Sequence, residues 1–403
     1  MKEIALRSGS LRLAWVSPIA PWKLDKVTWL DTTRELRAMG MEVTLLATGP
    51  QGPGTYGDVE VYNIDRPDIY LIGRILFHLK LLAYLLPRMK QYDFVLFHPI
   101  SAVWLFPLRF MGKDRPLLVM DSRDLLDFGN KSIKARLRNN LERFTYWLAK
   151  YLADGQTAIT TRLAQLVGIP SQQLWGIWPS GVNPVAFAES RRKRQPAADN
   201  EPIRLIYVGI FLEQRHLMPL AKAVRRANKS GMAFELVLHG DGPFRSALET
   251  YAAESEGNVK VGKPVPYDHI PALLAQAHIG VTSLPSSDDV KYEASSPLKL
   301  FEYMAAALPI ISTANRCHID VVGKDDYVFW ASEPTEEELF GALEQVWASR
   351  DRLSDLGQQA LKAVDQWTWA ASAQKLFSAL VQGLKHSPGN PAKVPISPEA
   401  NRL

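Results

Sequence analysis

The chain has 403 residues, 47% of them hydrophobic and 22% charged, with a formal net charge of +5. This is the make-up of an ordinary globular protein, and the length implies about two domains, each with its own core. The single cysteine, Cys317, excludes an internal disulfide and any cysteine-based zinc or redox motif, and it fits a reducing, cytoplasmic compartment.

The opening, MKEIALRSGSLRLAWVSPIAP, lacks the long apolar core of a signal peptide. LRLAWVSPIAP reads as a buried strand running into a loop, VTWLDTTRELRAMG as a helix ended by Gly40, and MEVTLLATG as the next strand. Such a βαβ opening predicts a parallel sheet. The segment 69–87, IYLIGRILFHLKLLAYLLP, is apolar but carries Arg74, His78 and Lys80 in its middle. A span needs about 20 residues free of charge, which argues against a transmembrane helix here and leaves an interfacial one open. YDFVLFHP is the next strand, SAVWLFPLRFMG a helix, and RPLLVMDSRD a strand with a polar end. DGQTAIT and QLWGIWPSG are short strands.

Residues 188–202, AESRRKRQPAADNEP, are polar and charged and read as a linker. A second series follows, with strands in IRLIYVG, AFELVLHGDG, NVKVG, HIGVTSLP and LPIIST and helices between them. Two α/β units in tandem, with a cleft between, are therefore expected. The helical stretches TEEELFGALEQVWASRDRLSDLGQQALKAV and TWAASAQKLFSALVQGL come last, and a proline-rich tail, expected to be disordered, closes the chain.

Charge is divided unevenly. Residues 1–195 carry a net +10 and residues 196–403 a net −5. A basic first half suggests an anionic partner, and no nucleic-acid motif supports that alternative to membrane lipid. Segment 131–150, KSIKARLRNNLERFTYWLAK, mixes Lys131, Lys134, Arg136, Arg138, Arg143 and Lys150 with Leu137, Leu141, Phe144 and Trp147. That is an interfacial profile, although two helices packed on a sheet would satisfy the same pattern.

Parallel sheets bind ligands beyond the carboxyl ends of their strands. SSPLKLFEYMAAALP (295–309) reads as a helix start with Ser295 or Ser296 as N-cap and Pro297 at the first helical position. Lys299 in that first turn opposes the helix dipole, a placement that makes sense if a phosphate sits there. Glu302, one turn on, can accept hydrogen bonds from paired ribose hydroxyls. An exposed Lys–Glu pair is the alternative reading. In YVGIFLEQRHLMPLAKAV (207–224), Arg215 follows a strand end and could grip phosphate, or lie on the surface. LHGDGP (238–243) is a glycine turn that lets backbone approach a ligand, or a plain tight turn. In LLVMDSRDLLDF (117–128), Asp121, Arg123, Asp124 and Asp127 crowd a strand end, as a general base or as an ion-pair cluster. No metal-ligand spacing, GxGxxG or GxSxG occurs.

Taken together these segments resemble the GT-B glycosyltransferases, in particular glycosyltransferase family 4. SSPLKLFEYMAAALPIIST is similar to that family's signature helix in its Ser-Pro-x-Lys variant, and IYVGIFLEQRHL to its donor-site loop. MDSRDLLDF is similar to the Arg-Asp-Leu segment of capsule and polysaccharide members, and WPSGVNPVAF (178–187) to the segment before the interdomain linker. The resemblance covers about residues 10–385 and is most specific over 203–315.

The resemblance implies an α/β chain with two Rossmann-like domains facing a cleft: 1–190 for the acceptor and 203–367 for the nucleotide-sugar. A helix over 368–385 would cross back to the N-terminal domain, leaving 386–403 as tail. It also implies that Arg215 and Lys299 neutralise a pyrophosphate, helped by backbone N–H groups over Ser296, Pro297, Leu298 and Lys299. Glu302 would bind the ribose and Gly240 lie by the nucleotide. Asp124 would act at the acceptor side with Arg123 nearby. No cofactor or metal is implied; the donor would be a UDP-sugar or GDP-sugar. The implied activity is transfer of a hexose or uronic acid to a saccharide acceptor, polyprenyl-linked in the fullest version, at an anionic membrane surface on the inner face of the cell membrane. A non-catalytic GT-B partner subunit and a nucleotide-sugar epimerase of the same fold are the rival readings.

Two positions depart from the family pattern. Ala294 stands eight residues before Glu302 where a glutamate is usual, with Glu293 one residue off register, and Leu220 stands where a lysine often follows the arginine. A Ser-x-x-Lys-Leu helix start and an aspartate at the position of Asp124 also occur in the xanthan glucuronosyltransferase, where the aspartate is the base of an inverting reaction. Retention and inversion are therefore both open at this stage.

Overall fold

The computed structural model describes residues 10–18, 26–112, 114–124, 133–198, 201–286, 290–323 and 325–386. Asp127, Lys131 and the tail from 387 onward, all singled out above, lie outside the described residues. The chain divides into two compact units, residues 1–179 with 372–403, and residues 180–371.

The first unit is built on an eight-stranded sheet. Its strands are β1 (Arg12–Ser17), β2 (Glu42–Thr48), β3 (Gly52–Tyr56), β4 (Val59–Ile64), β5 (Phe94–Phe97), β6 (Leu117–Ser122), β7 (Gly155–Ala158) and β8 (Leu174–Ile177). The spatial order is β3-β4-β2-β1-β5-β6-β7-β8, parallel except for the β3–β4 hairpin at the edge. Strand β1 explains why the apolar run is continuous. Leu13 and Trp15 point into one core, while Ala14 and Val16 point into another on the opposite face. Helix α1 (Lys26–Ala38) covers the first of these cores through Leu36. Helices α2 (Tyr70–Leu85), α3 (Pro99–Leu105) and α4 (Ile133–Leu152) cover the second through Phe77, Leu81, Ala102, Leu105, Tyr146 and Ala149. The helix read in SAVWLFPLRFMG starts earlier and is shorter than expected. It ends at Leu105 and tightens to a 3-10 turn over Phe106–Phe110, because Pro107 has no N–H to continue the ladder.

The second unit carries β9 (Ile203–Val208), β10 (Phe234–His239), β11 (Val259–Gly262), β12 (Ile279–Thr282), β13 (Ile310–Thr313) and β14 (Val328–Ala331). They form a parallel sheet in the order β11-β10-β9-β12-β13-β14. Numbered from β9, that is 3-2-1-4-5-6, the order of a doubly wound nucleotide-binding sheet. The central strands of the first unit follow the same scheme. Neither the β3–β4 hairpin nor β14 was read from the sequence. β3 is glycine-rich with a half-exposed pattern, and β14 is only four residues long.

The contact boundary falls at Pro179–Ser180, ahead of the 190 expected for the first domain. Residues 188–193, read as linker, form the helix Ala188–Lys193. Arg191 in it donates to the Ala305 carbonyl at 2.5 Å and to the Pro184 carbonyl at 2.9 Å, so this stretch is part of the second unit. The last helix, Trp369–His386, is counted with the first unit from Ser372 onward. There Ala373, Leu376 and Leu380 join the core of Leu13 and Trp178, and the Ser372 hydroxyl donates to the Pro179 carbonyl.

Candidate functional site

In the second unit the strand order reverses between β9 and β12, where a doubly wound sheet opens a crevice for ligand. The chain leaving β9 runs through Gly209 to a 3-10 turn, Glu213–Arg215, and the chain leaving β12 starts at Ser283. The Ser283 hydroxyl donates to the Arg215 carbonyl at 2.6 Å, tying the two loops at the switch point. The guanidinium of Arg215 lies 4.7 Å from the Tyr292 ring centroid, and its buried Nε has no hydrogen-bond partner among the described residues.

Lys299 comes from the short helix Leu298–Ala305. Its Nζ sits 3.8 Å from the Tyr207 ring centroid, and about where a side chain on Gly209 would begin: a Cβ there would lie 3.0 Å from it. The ammonium therefore reaches over the end of β9. Burial holds its pKa well below the ordinary lysine value, and the charge of Arg215 lowers it further, against a smaller opposing effect from Glu302. Glu302 is 8% exposed, and burial raises its carboxyl to about 7, with Lys299 opposing. Two neighbouring half-buried cations beside one buried carboxyl are costly alone and well matched to a dianion.

The helix begins one residue later than expected. Pro297 is its N-cap, extended at φ −79° and ψ 96°, with no side-chain cap. Ser296 is not a cap; its hydroxyl accepts the Ser180 N–H at 3.0 Å, and Ser295 donates to the Tyr292 carbonyl at 2.8 Å. Both serines are thus spent on neighbouring chain. The first N–H groups of the helix, at Leu298 and Lys299, have no carbonyl one turn back and are the ones left for an anion.

Gly240 closes the floor. It sits at φ 157°, and a Cβ there would run into the Gly209 carbonyl oxygen. Two backbone bonds, Gly209 N–H to the His239 carbonyl at 2.9 Å and Phe211 N–H to the Asp241 carbonyl at 2.8 Å, hold the loops after β9 and β10 together. Gly240→Ala is expected to push these loops apart, costing roughly 1–3 kcal/mol as overpacking does. Differential scanning calorimetry checks the fall in Tm.

In the first unit the corresponding reversal lies between β1 and β5. His98 stands at the end of β5 and caps α3, its Nδ1 accepting the Ile100 N–H at 3.3 Å. Its Nε2 is 3.8 Å from a carboxylate oxygen of Asp124, whose side chain is 86% exposed. Burial lowers the His98 pKa, while Asp124 and then Asp121 oppose that shift. Asp121 is a structural anchor: buried, it accepts from Thr157 at 2.6 Å and from the Trp178 indole at 2.8 Å. The guanidinium of Arg123 sits over Trp178, 3.7 Å from the ring centroid. The cluster thus splits into a buried support, Asp121 with Arg123, and an exposed carboxylate paired with a histidine.

Sequence reasoning missed three neighbours. His98 was open to discovery, since it follows a strand end beside the switch point. Tyr292, under Arg215, gave no local signal. Glu333, which accepts from the Ser286 hydroxyl and backbone N–H, comes from beyond β14, a strand not read from the sequence. Leu220, which stands where the resembling family often has a lysine, is fully buried in the core. Ala294 is buried.

Residues 189–363 match the family model described as glycosyl transferases group 1. The chain is 26% identical over 151 residues to the putative colanic acid biosynthesis glycosyltransferase WcaL of Escherichia coli K12, covering 37% of this chain and 36% of that protein. It spans only 36% and 35% of the length of the two curated relatives it matches. Sucrose-phosphate synthase from Thermosynechococcus elongatus superposes with a TM-score of 0.69 at 16% identity, over 92% of this chain and 98% of that one. Anabaena HepE in complex with UDP and glucose does so with a TM-score of 0.69 at 14% identity, over 92% and 99%. The chain therefore has the GT-B fold. Within its second unit, residues 189–363 are similar to the group 1 glycosyl transferases.

Proposed function

We propose that the protein is a glycosyltransferase that moves a sugar from a nucleoside diphosphate sugar, a UDP-sugar, to a saccharide acceptor in polysaccharide or glycoconjugate biosynthesis. The observation that carries this reading is the convergence of Arg215, Lys299 and the start of the Leu298–Ala305 helix on the switch point of the second sheet. The match to group 1 glycosyl transferases and the colanic acid name of one relative support the reaction class. The UDP complex of a fold neighbour supports the base. In this reading the bond between the sugar's anomeric carbon and the diphosphate breaks, and the charge left on the nucleotide meets Arg215 and Lys299. Asp124 takes the proton of the attacking acceptor hydroxyl. Because side chains would carry the charge, the reading expects transfer to persist in EDTA. The acceptor is a polyprenyl-linked saccharide in the fullest version of the proposal, and the transferred group a hexose or a uronic acid. Thermal-shift measurement with UDP, GDP and their sugars tests the reading. Stabilisation by UDP and a UDP-sugar is expected, and no shift with any of them overturns it.

The carboxyl of Glu302 gives a pH signature. Raised to about 7 by burial, it is ionised above that pH and protonated below. Ribose hydroxyls need the ionised acceptor, so affinity for UDP-glucose should fall about tenfold between about pH 8 and about pH 6. A sugar diphosphate diester does not itself titrate in that window. Isothermal titration calorimetry measures the slope, and Glu302→Gln should flatten it.

A further inference from the structure

The three helices that cover the second core of the first unit turn apolar side chains to solvent as well as inward. On α2, Ile72 and Leu79 are each 51% exposed. On α4, Phe144, Trp147 and Tyr151 are 48%, 52% and 64% exposed, one turn apart in sequence. Their rings form a ladder: Phe144 stacks on Trp147 at 5.8 Å, and Tyr151 meets Trp147 edge-on at 5.4 Å. Helix α3 packs against both α2 and α4, all three cover the same core, and Val103 of α3 is exposed as well. The stripes of α2 and α4 therefore share one face, which the sequence alone did not establish. Large apolar side chains clustered in this way at a surface mark an interaction site.

Charge selects the partner. Helix α4 holds five Lys or Arg against one Glu, and α2 holds Arg74 and Lys80 with no Asp or Glu. Arg136, Arg143 and Lys150 are exposed on the same helix as the aromatic ladder. Exposed Trp and Tyr beside cations match the boundary between lipid tails and anionic headgroups. Among the described residues no helix is long and apolar enough to cross a membrane. We propose that the outer face of α2, α3 and α4 docks on a membrane bearing anionic lipid, lying in its interface. The face belongs to the first unit and does not rest on the assignment of the nucleotide site.

Vesicle flotation of the full chain tests this, using phosphatidylcholine alone and phosphatidylcholine with about a third phosphatidylglycerol at low salt. The protein should float with the anionic vesicles and roughly tenfold less with the neutral ones. The double variant F144S/W147S should lower the bound fraction about tenfold, and R143E/K150E should do the same. Both pairs are exposed, so the fold should hold, and an unchanged thermal shift with UDP-glucose on each variant checks it. That readout also separates failure here from failure of the nucleotide reading. Wild-type protein that stays unbound to both vesicles at low salt overturns the proposal, as do variants that float like wild type. A dimer in sedimentation equilibrium that F144S/W147S dissolves overturns it too, assigning the face to self-association.

Discussion

Replacing Lys299 with methionine is expected to stabilise the ligand-free protein while removing its response to nucleotide. The ammonium is withdrawn from water and lies near Arg215, which is why its pKa falls well below the ordinary value. The sign follows from proton counting. With the folded pKa depressed below 10.5, the folded state holds fewer protons than the unfolded state between the two values, so stability rises with pH across that window. Below the window the cost of the buried cation is present in full. Methionine keeps the apolar stem over Tyr207 and removes the charge. A gain of about 1 kcal/mol would raise Tm by about 2–4 °C for a unit of this size. On the proposed mechanism, loss of one cation from the leaving group costs roughly 10²–10³ in kcat. Thermal unfolding with and without UDP, together with a transfer assay, reads both effects. A variant that is destabilised and still shifts with UDP contradicts the assignment.

Asp124→Asn is expected to lower transfer by about 10²–10⁴ while leaving the thermal shift with UDP unchanged. The carboxylate is exposed, so asparagine fits without repacking, and it lies in a different unit from Arg215 and Lys299. His98→Asn is the companion variant. His98 approaches Asp124 at 3.8 Å and caps α3 through Nδ1, and asparagine can keep the cap while losing the Nε2 contact. If Asp124 is the base and His98 orients it, H98N should lower kcat and alter the pH–rate profile with little change in Tm. Full activity in Asp124→Asn removes Asp124 as base. Product anomer determination by NMR then tells a base from a residue that merely positions the acceptor.

Much of the candidate site in the second unit could be read locally. Lys299 stood out because a cation in the first turn opposes the dipole, and that conflict involves only a few consecutive residues. Arg215 and Gly240 each follow an apolar run that ends at a turn, again a local pattern. The cap assignment failed because Ser296 spends its hydroxyl on Ser180, 116 positions away in the chain. The acidic cluster at 121–124 was visible as a cluster, but its division into a buried support and an exposed carboxylate was not. Asp121 is fixed by Thr157 and Trp178, from other strands, while Asp124 faces His98.

The sequence by itself determined the tandem α/β plan, the strands of both parallel sheets apart from β3, β4 and β14, and the positions of the two cations. Hydrophobic periodicity, glycine turns and helix-end electrostatics act over a few residues, so the chain states them directly. The tertiary structure decided which strand ends lie side by side, that Tyr292 backs Arg215, that His98 meets Asp124, and that α2, α3 and α4 share an exposed face. Those relations depend on strand order, and the order 3-2-1-4 brings together strand ends that are far apart in the chain.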